Sequence, residues 1–419
     1  MYKYLINIET SDKLLSKKSF QQSCNYIYNK YGMITHHINV SGNSPSKDVK
    51  VKNNIILKYL ALEDVVKYIN KLTQDQNETY INTFDEWLVS QINLIKKQLW
   101  QPYTKHYKAF VNKWEERKIA NWSNVIPQFK VYSIEQLLSY SKPFPIVIKP
   151  VQWAQSSGVA LLNKKTDLKN YYNTIKNINK SLLKRNYKNN QFIMEEYIPW
   201  DMFTVTYFVN NNWEFRYDQI CKVYTLSSIW IPDFAILKRV VQKTQLSNTL
   251  VRKIEDLIKK TIKIYDIKNT FIFQDIKLDN KDNPKNIEIN ARIWWYRLEI
   301  YQKSLWRNLF DYVLQKKHKK KTPKSNIAIY SIFPTENGKI LQSFNETVIK
   351  KINQLPSNIE IRLQKNKINQ VCWFAKSGYT RLWSIVIKNN NKKQFILDCE
   401  EIEKNYKDLT ILWDPDLVS

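Results

Sequence analysis

Glycine is scarce in this chain, 5 of 419 residues, where an average composition would hold about 7%. Sites that need several glycines for close backbone approach are thereby excluded or modified. Neither the dinucleotide fingerprint G-x-G-x-x-G nor the Walker A loop occurs. Cysteine is sparse as well. Cys24, Cys221, Cys372 and Cys399 lie far apart, with neither the paired spacing of a zinc site nor the density of a disulfide framework, so reduced structural thiols are expected. No run approaches the roughly 18 consecutive apolar residues of a membrane span. Met1 to Lys17 lacks the basic start, apolar stretch and small-residue cleavage site of a secretory leader. The expectation is a soluble, cytoplasmic chain with no membrane partner.

Acidic residues are outnumbered, 38 Asp and Glu against 66 Lys and Arg, for a formal charge of +28. Such a balance attracts polyanions. The lysines are dispersed, however, and a solvated basic surface is preferred over a dedicated nucleic-acid face. The densest run, Lys316 to Lys321 around His318 and ahead of Pro323, reads as an exposed linker. His36, His37, His106 and His318 accompany no Ser or Cys motif and are assigned to packing or surface.

What is present is core material. With 43% hydrophobic and 14% aromatic residues, disorder is excluded as the main state, and 419 residues suit two or three domains. Strand-like and helical runs alternate first: Lys3 to Ile8, Phe20 to Tyr31, Ile34 to Val40, Leu60 to Leu72, Tyr80 to Thr83 and Trp87 to Leu99. That alternation predicts a small parallel sheet with helices on its faces. Pro102 and the charged stretch Lys113 to Lys118 place a boundary near residue 105. Strands follow at Ile146 to Lys149, Phe192 to Ile198, Phe203 to Val209 and Trp213 to Ile220, the last two as a hairpin through Asn210 to Asn212. Helical patterns at Leu168 to Leu183 and Leu250 to Ile264 interrupt them. A third unit carries strands at Ile327 to Phe333 and Ile359 to Leu363, a turn at Asn337 and Gly338, and a closing helix near Cys399 to Tyr406. The expected division is 1–104, 105–320 and 321–419, of class α/β with α+β.

Chemistry concentrates in Phe271 to Arg297, two strands joined by a polar turn at Asp279 to Pro284. Alternation puts Glu288, Asn290 and Arg292 on one face, and the hairpin brings Asp275 opposite Glu288. Two carboxylates and an amide oxygen suit Mg²⁺, which binds a few carboxylates together with substrate phosphates. The alternative is a polar, solvated sheet face. In Pro145 to Val159 an apolar strand delivers Lys149, and Ser156, Ser157 and Gly158 follow in a loop able to offer N–H groups and hydroxyls to a phosphate.

With Phe192 to Thr206, these segments resemble the ATP-grasp superfamily, and in its order. Its pattern is a strand-borne lysine with a small-residue loop, an acidic hinge for adenine, then acidic metal ligands ending in a Glu-x-Asn-x-Arg strand. Upstream, Asn112, Lys113 and Arg117 followed by Val125, Ile126 and Pro127 resemble the family's opening helix, with Asn112 in place of the usual Asp. Tyr80 to Thr83 with Asp85 and Glu86 fits the end of a Rossmann-like subdomain preceding the ATP-grasp domain. Ile327 to Pro334, Gly338 to Ile340 and Ile359 to Leu363 resemble the small β-rich C-terminal subdomain of the amino-acid ligase and biotin-carboxylase branch.

The resemblance implies an ATP- and Mg-dependent, ADP-forming carboxylate-amine ligase that activates a carboxylate as an acyl phosphate and joins it to an amine. It implies metal ligation by Asp275, Glu288 and Asn290, and phosphate contacts from Lys113, Lys149, Ser156, Ser157 and Gly158. Glu195, Glu196, Tyr197 and Ile198 would hold adenine by main-chain groups, Asp201 would serve the ribose, and Arg292 with Lys149 would act at the reacting phosphate. Lys222 is a further, unaligned phosphate candidate.

Three features depart from the family. Trp200, Asp201 and Met202 follow the hinge, where a glycine and then an acid are usual. Ile293, Trp294, Trp295 and Tyr296 replace a glycine-rich turn, which suggests an aromatic-floored acceptor pocket. Asp275 stands where Glu is common. Partners implied are small carboxylate and amine substrates. An acidic peptide substrate, a polyanion-binding scaffold with reduced catalysis and a homodimer stay open.

Overall fold

Apolar residues on both faces of a strand demand cover on both sides, and β1 (Tyr4–Glu9) is such a strand, buried from Leu5 to Glu9. In the computed structural model it pairs in parallel with β2 (Ile34–Asn39) and, on its other side, with β5 (Thr79–Asn82). Helices α1 (Lys18–Tyr31), α2 (Asp64–Leu72) and α3 (Val89–Gln98) accompany this sheet. The structure describes residues 2–11, 18–40, 50–52, 55–141, 143–151, 158–182, 191–199, 201–231, 235–242, 246–293, 295–315, 318–335, 338–342, 344–363, 371–372 and 381–413.

The sheet is not wholly parallel. A short edge strand, β3 (Lys50–Lys52), runs antiparallel to β4 (Ile55–Tyr59), which pairs in parallel with β2, giving the order β3-β4-β2-β1-β5. The β4 strand has no counterpart in the alternation expected from sequence. The helix read over Leu60 to Leu72 begins only at Asp64, since Leu60 continues out of β4 and its N–H bonds the Asn39 carbonyl at 3.2 Å.

After α4 (Lys113–Ala120) a four-stranded antiparallel sheet forms from β6 (Phe129–Ser133), β7 (Ile146–Pro150), β8 (Ala160–Leu162) and β9 (Gln191–Glu196), in the order β6-β9-β7-β8, with α5 (Lys165–Leu182) alongside. The chain then builds its largest sheet. Its members are β10 (Met202–Val209), β11 (Phe215–Arg216), β12 (Ile220–Thr225), β13 (Ile236–Val241), β14 (Thr270–Leu278) and β15 (Pro284–Asn290), followed beyond two helices by β16 (Asn326–Ile332). The helices are α7 (Trp295–Leu305) and α8 (Asp311–Leu314), and α6 (Asn248–Tyr265) packs nearer the start. Past β17 (Gly338–Gln342) and α9 (Glu346–Asn353), the strands β18 (Asn358–Leu363) and β20 (Trp383–Asn389) rejoin the sheet. The full order is β15-β14-β10-β12-β13-β16-β20-β18, with β11 paired to β10. Thus β13 and β16 pair antiparallel, Arg239 opposite Ile329, and the sheet runs unbroken past residue 320. A separate small sheet joins β17 to β19 (Val371–Cys372) and β21 (Ile411–Trp413), and α10 (Lys392–Lys404) extends further toward the N-terminus than the closing helix read from sequence.

Two expectations are corrected. The strand read over Trp213 to Ile220 is broken into β11 and β12, because Asp218 turns inward. Its buried carboxylate forms an ion pair with Arg307, 2.5 Å from Nε, and accepts from the Tyr312 hydroxyl at 2.8 Å and the Lys321 N–H at 2.8 Å. The same carboxylate corrects the linker part of the reading of Lys316 to Lys321, in which Lys319, Lys320 and Lys321 are exposed as expected. From His318 onward the segment is tied down, with His318 Nε2 3.3 Å from Asp218 and its ring edge-on to Tyr312. Lys320 lies over the Tyr217 ring. Lys316, Lys317 and Asn337 lie outside the described residues. Cys24, Cys221 and Cys399 are buried free thiols, and no described helix is long and apolar enough to cross a membrane.

Candidate active site

A cleft of about 1150 Å³ lies between the four-stranded sheet and the first strands of the large sheet. One wall carries Val147, Lys149 and the segment Glu195 to Ile198, the other Phe273, Asp275, Lys277, Glu288 and Asn290, with Lys113 and Glu86 at one margin.

Strand register assembles the acidic wall. The β14–β15 hairpin sets Asp275 directly opposite Glu288 and Phe273 opposite Asn290, so both acids share one face. Burial, aided by the neighbouring Glu288 charge and opposed by Arg239, pushes the Asp275 carboxyl up to about 6. Its Oδ1 is buried without a hydrogen-bond partner. An orphaned carboxylate oxygen costs free energy unless something charged or donating meets it. Glu288 is more exposed and lies 3.8 Å from Lys113 Nζ. Among the described residues no group of three or more His, Cys, Asp and Glu side chains converges as a metal site. The oxygen set here is two carboxylates and the Asn290 amide, which fits a hard cation sharing its coordination with substrate oxygens.

The basic wall is braced from behind. Asn112 caps α4, its Oδ1 accepting from Trp114 and Glu115 N–H groups, and the Lys113 N–H bonds the Val151 carbonyl at 3.2 Å. The first residue of the helix is thereby fixed beside the end of β7. Lys149 ends that strand and its Nζ meets Glu195 Oε2 at 2.6 Å, while Arg117 Nε donates to Glu195 Oε1 at 2.6 Å. Burial opposes ionisation of Glu195, yet Arg117 and Lys149 override it and hold its pKa down at about 2. Arg117 also bonds Glu116 at 2.7 Å and the Ile287 carbonyl at 2.8 Å, linking the brace to β15. Burial, partly offset by Arg117, raises Glu116 to about 7.

Sequence reading placed Glu195 in the site by its main chain, and its carboxylate as the clamp on Lys149 was not anticipated. Lys277 was missed too. Burial and the Lys149 charge lower it to about 8, and its Nζ donates to the Ile198 carbonyl at 2.7 Å. The available signal was its position two residues beyond Asp275, on the same strand face. Arg239 and Met202 also line the cleft.

Of the residues singled out from sequence, Lys113, Lys149, Glu195, Glu196, Tyr197, Ile198, Asp275, Glu288 and Asn290 meet in this cleft. Arg292 lies just past β15, where Nη2 bonds Glu86 Oε2 at 2.7 Å and Nη1 the Phe84 carbonyl at 3.4 Å. Asp201 sits at the foot of β10 and pairs with Lys222 at 2.9 Å. Gly158 is left-handed at φ +67° and its carbonyl accepts from the Tyr171 hydroxyl at 2.6 Å. Ser156, Ser157, Trp200, Trp294 and the side chains of Trp295 and Tyr296 lie outside the described residues.

Residues 142–294 match the sequence model of an ATP-grasp domain. No curated protein matches the sequence. Solved structures are similar over nearly the whole chain. An L-amino acid ligase from Bacillus licheniformis superposes with a TM-score of 0.72 at 15% identity, covering 98% of each chain. An N5-carboxyaminoimidazole synthetase from Staphylococcus aureus, complexed with ADP, gives 0.65 at 12% identity over 96% of this chain and 99% of that one. A carboxyaminoimidazole ribonucleotide synthase from Aspergillus clavatus, complexed with ATP, gives 0.63 at 10% over 97% and 99%. The mixed α/β architecture expected from sequence is thus the one observed, shared with these solved structures, and residues 142–294 within it are similar to an ATP-grasp domain.

Proposed function

We propose that the protein is an ATP- and Mg²⁺-dependent, ADP-forming ligase that joins a small carboxylate to an amine, an amino acid or peptide ligase in type. The observation that carries this reading is the cleft itself: Asp275, Glu288 and Asn290 on one wall facing Lys113 and Lys149 on the other. In this reading residues 105–320 form the nucleotide and metal unit, flanked by 1–104 and 321–419.

The chemistry asks for crowded oxyanions to be neutralised and aligned. Mg²⁺ held by Asp275, Glu288 and Asn290 would supply positive charge between the phosphates. Lys149, fixed by Glu195, and Lys113, fixed by the start of α4, bind phosphate oxygens with little reorganisation on nucleotide entry. By the resemblance, Ser156, Ser157 and Gly158 would offer N–H groups and hydroxyls to those oxygens. Main-chain groups of Glu195 to Ile198 take the adenine, with Tyr197 beside it and Lys277 steadying the Ile198 carbonyl, and Asp201 reaches the ribose. A substrate carboxylate oxygen attacks the γ-phosphorus and ADP leaves. Arg292 stabilises the acyl phosphate, whose carbonyl carbon the amine nitrogen then attacks, losing a proton as inorganic phosphate departs. The L-amino acid ligase and N5-carboxyaminoimidazole synthetase neighbours support this substrate class by their names alone.

The test is to incubate the protein with Mg-ATP, pooled carboxylates and hydroxylamine, alongside Glu288→Ala. Hydroxamate and phosphate from the wild type alone are expected, and deconvoluting the pool identifies the acid. Confirmed nucleotide binding with no hydroxamate from any pool would overturn the small-acid ligase reading.

A further inference from the structure

Four tryptophans occupy backbone that a tryptophan does not choose. Trp100, Trp213, Trp230 and Trp306 have φ of +55°, +60°, +64° and +53°. An L side chain there crowds its Cβ against neighbouring carbonyl oxygen. Such values belong chiefly to glycine, then to Asn and Asp, and are outliers for a bulky residue. The other described left-handed residues obey that rule: Gly32, Gly158, Asp266, Asn269 and Asp282.

Three of the four end a helical segment, each a left-handed residue after which the next N–H reaches back five or six residues to a carbonyl. After α3, Trp100 is followed by Gln101 N–H bonding Lys96 O at 2.8 Å. After the 3₁₀ turn Leu226–Ile229, Trp230 is followed by Ile231 N–H on Leu226 O at 3.2 Å. After α7, Trp306 is followed by Arg307 N–H on Tyr301 O at 3.3 Å. The chain builds the same motif after α1 with glycine, Gly32 preceding Met33 N–H on Ile27 O at 3.5 Å. Trp213 sits in the turn between β10 and β11, a usual glycine position.

The side chains do not account for the choice. Trp100 and Trp230 are each 94% exposed, and Trp306 and Trp213 are 64% and 48% exposed. Trp213 and Trp306 each meet a lysine, Lys268 and Lys324, and the Trp213 indole N–H donates to Asp266 Oδ1 at 2.9 Å, but such exposed contacts are weak. Composition points the same way, with 14 tryptophans beside 5 glycines, where average usage calls for roughly 29 glycines.

We propose that positions 100, 213, 230 and 306 are glycine in the protein made by its own cell. One codon would be read there as glycine and written in this sequence as tryptophan. Tryptophan and glycine codons can differ in the first base alone, so a single reassignment suffices. Trp200, Trp294 and Trp295 stand where the ATP-grasp resemblance expects glycine, and the same reading restores glycine beside the hinge and in the turn after Asn290. The acceptor pocket then has no aromatic floor and suits a small acceptor; this consequence alone rests on the function proposed above.

Peptide mass mapping of the protein isolated from its native cells tests the proposal without reference to activity. Glycine masses at the four positions, encoded by one shared triplet, are expected. Tryptophan masses there, or a mixture of triplets, overturn it. A recombinant comparison gives a second measurement: Trp→Gly at the four positions should raise Tm by several degrees over the sequence as written, whereas Trp→Ala at the same four should not. Equal gain from alanine would place the cost in exposed apolar surface instead of backbone and overturn the proposal.

Discussion

Three side chains decide how this cleft works. Removing the Glu195 charge leaves Arg117 and Lys149 buried against each other, so Glu195→Gln is expected to cost about 3–5 kcal/mol in urea unfolding. The phosphate grip should loosen as well. Glu86 acts through Arg292, which it holds at 2.7 Å. Glu86→Gln should lower kcat on the order of 10- to 100-fold with KM for ATP unchanged, and steady-state kinetics separate the two. Asp275, pushed up to about 6, keeps its proton below that pH and must release it to take a cation. Mg-ATP affinity by calorimetry should therefore fall about tenfold per pH unit below 6. The change should vanish in Asp275→Asn, which has no proton to release and binds weakly throughout. The oxygen set was legible in the sequence because a hairpin and period-two alternation are local facts. The Glu195 clamp was not, since Arg117 reaches it from 78 positions away and nothing in the spacing announces the contact.

At the level of elements, long-range polar contacts did what local pattern could not. The strands β1, β2, β9, β10 and β14 follow their apolar runs closely, since each pays for its backbone by pairing along its length. Where a buried charge must be met, the pattern breaks, as at Asp218, which stops β11 and gathers Arg307, Tyr312 and His318. Trypsin mapping makes this visible: cleavage after Lys321 should be slow in the wild type and fast in Asp218→Ala. Glu9 offers a parallel case at the end of β1. Burial pushes its carboxyl up to about 8, although the Phe84 N–H bonds it at 2.7 Å. Its folded pKa lies above the unfolded value near 4.5, so the folded state holds the extra proton between those limits. Stability should fall as pH rises from about 4.5 to about 8, and Glu9→Gln should flatten that slope in urea titrations at several pH values.

For the whole molecule the open question is what the +28 charge does. Several lysines are already committed inside the fold: Lys149 to Glu195, Lys238 to Glu403, Lys285 to Asn124 and Lys96 to the Asn269 carbonyl. Those groups serve packing and the cleft, and cannot also track a polyanion. If the remaining cations form a dispersed coat, few of them engage one nucleic-acid strand together. Few counterions are then released, and log affinity falls gently with log salt. A dedicated face making about 6–10 phosphate contacts would instead lose roughly 10³- to 10⁵-fold between 50 and 200 mM salt. The expected result is a shallow slope for a single-stranded oligonucleotide, with no measurable binding at physiological salt, while hydroxamate formation persists there because Lys149, Glu195 and Asp275 are buried and poorly screened. A steep slope together with absent hydroxamate would mean that the fold has been turned to holding a polyanion, and that the charge outside the cleft is the functional one.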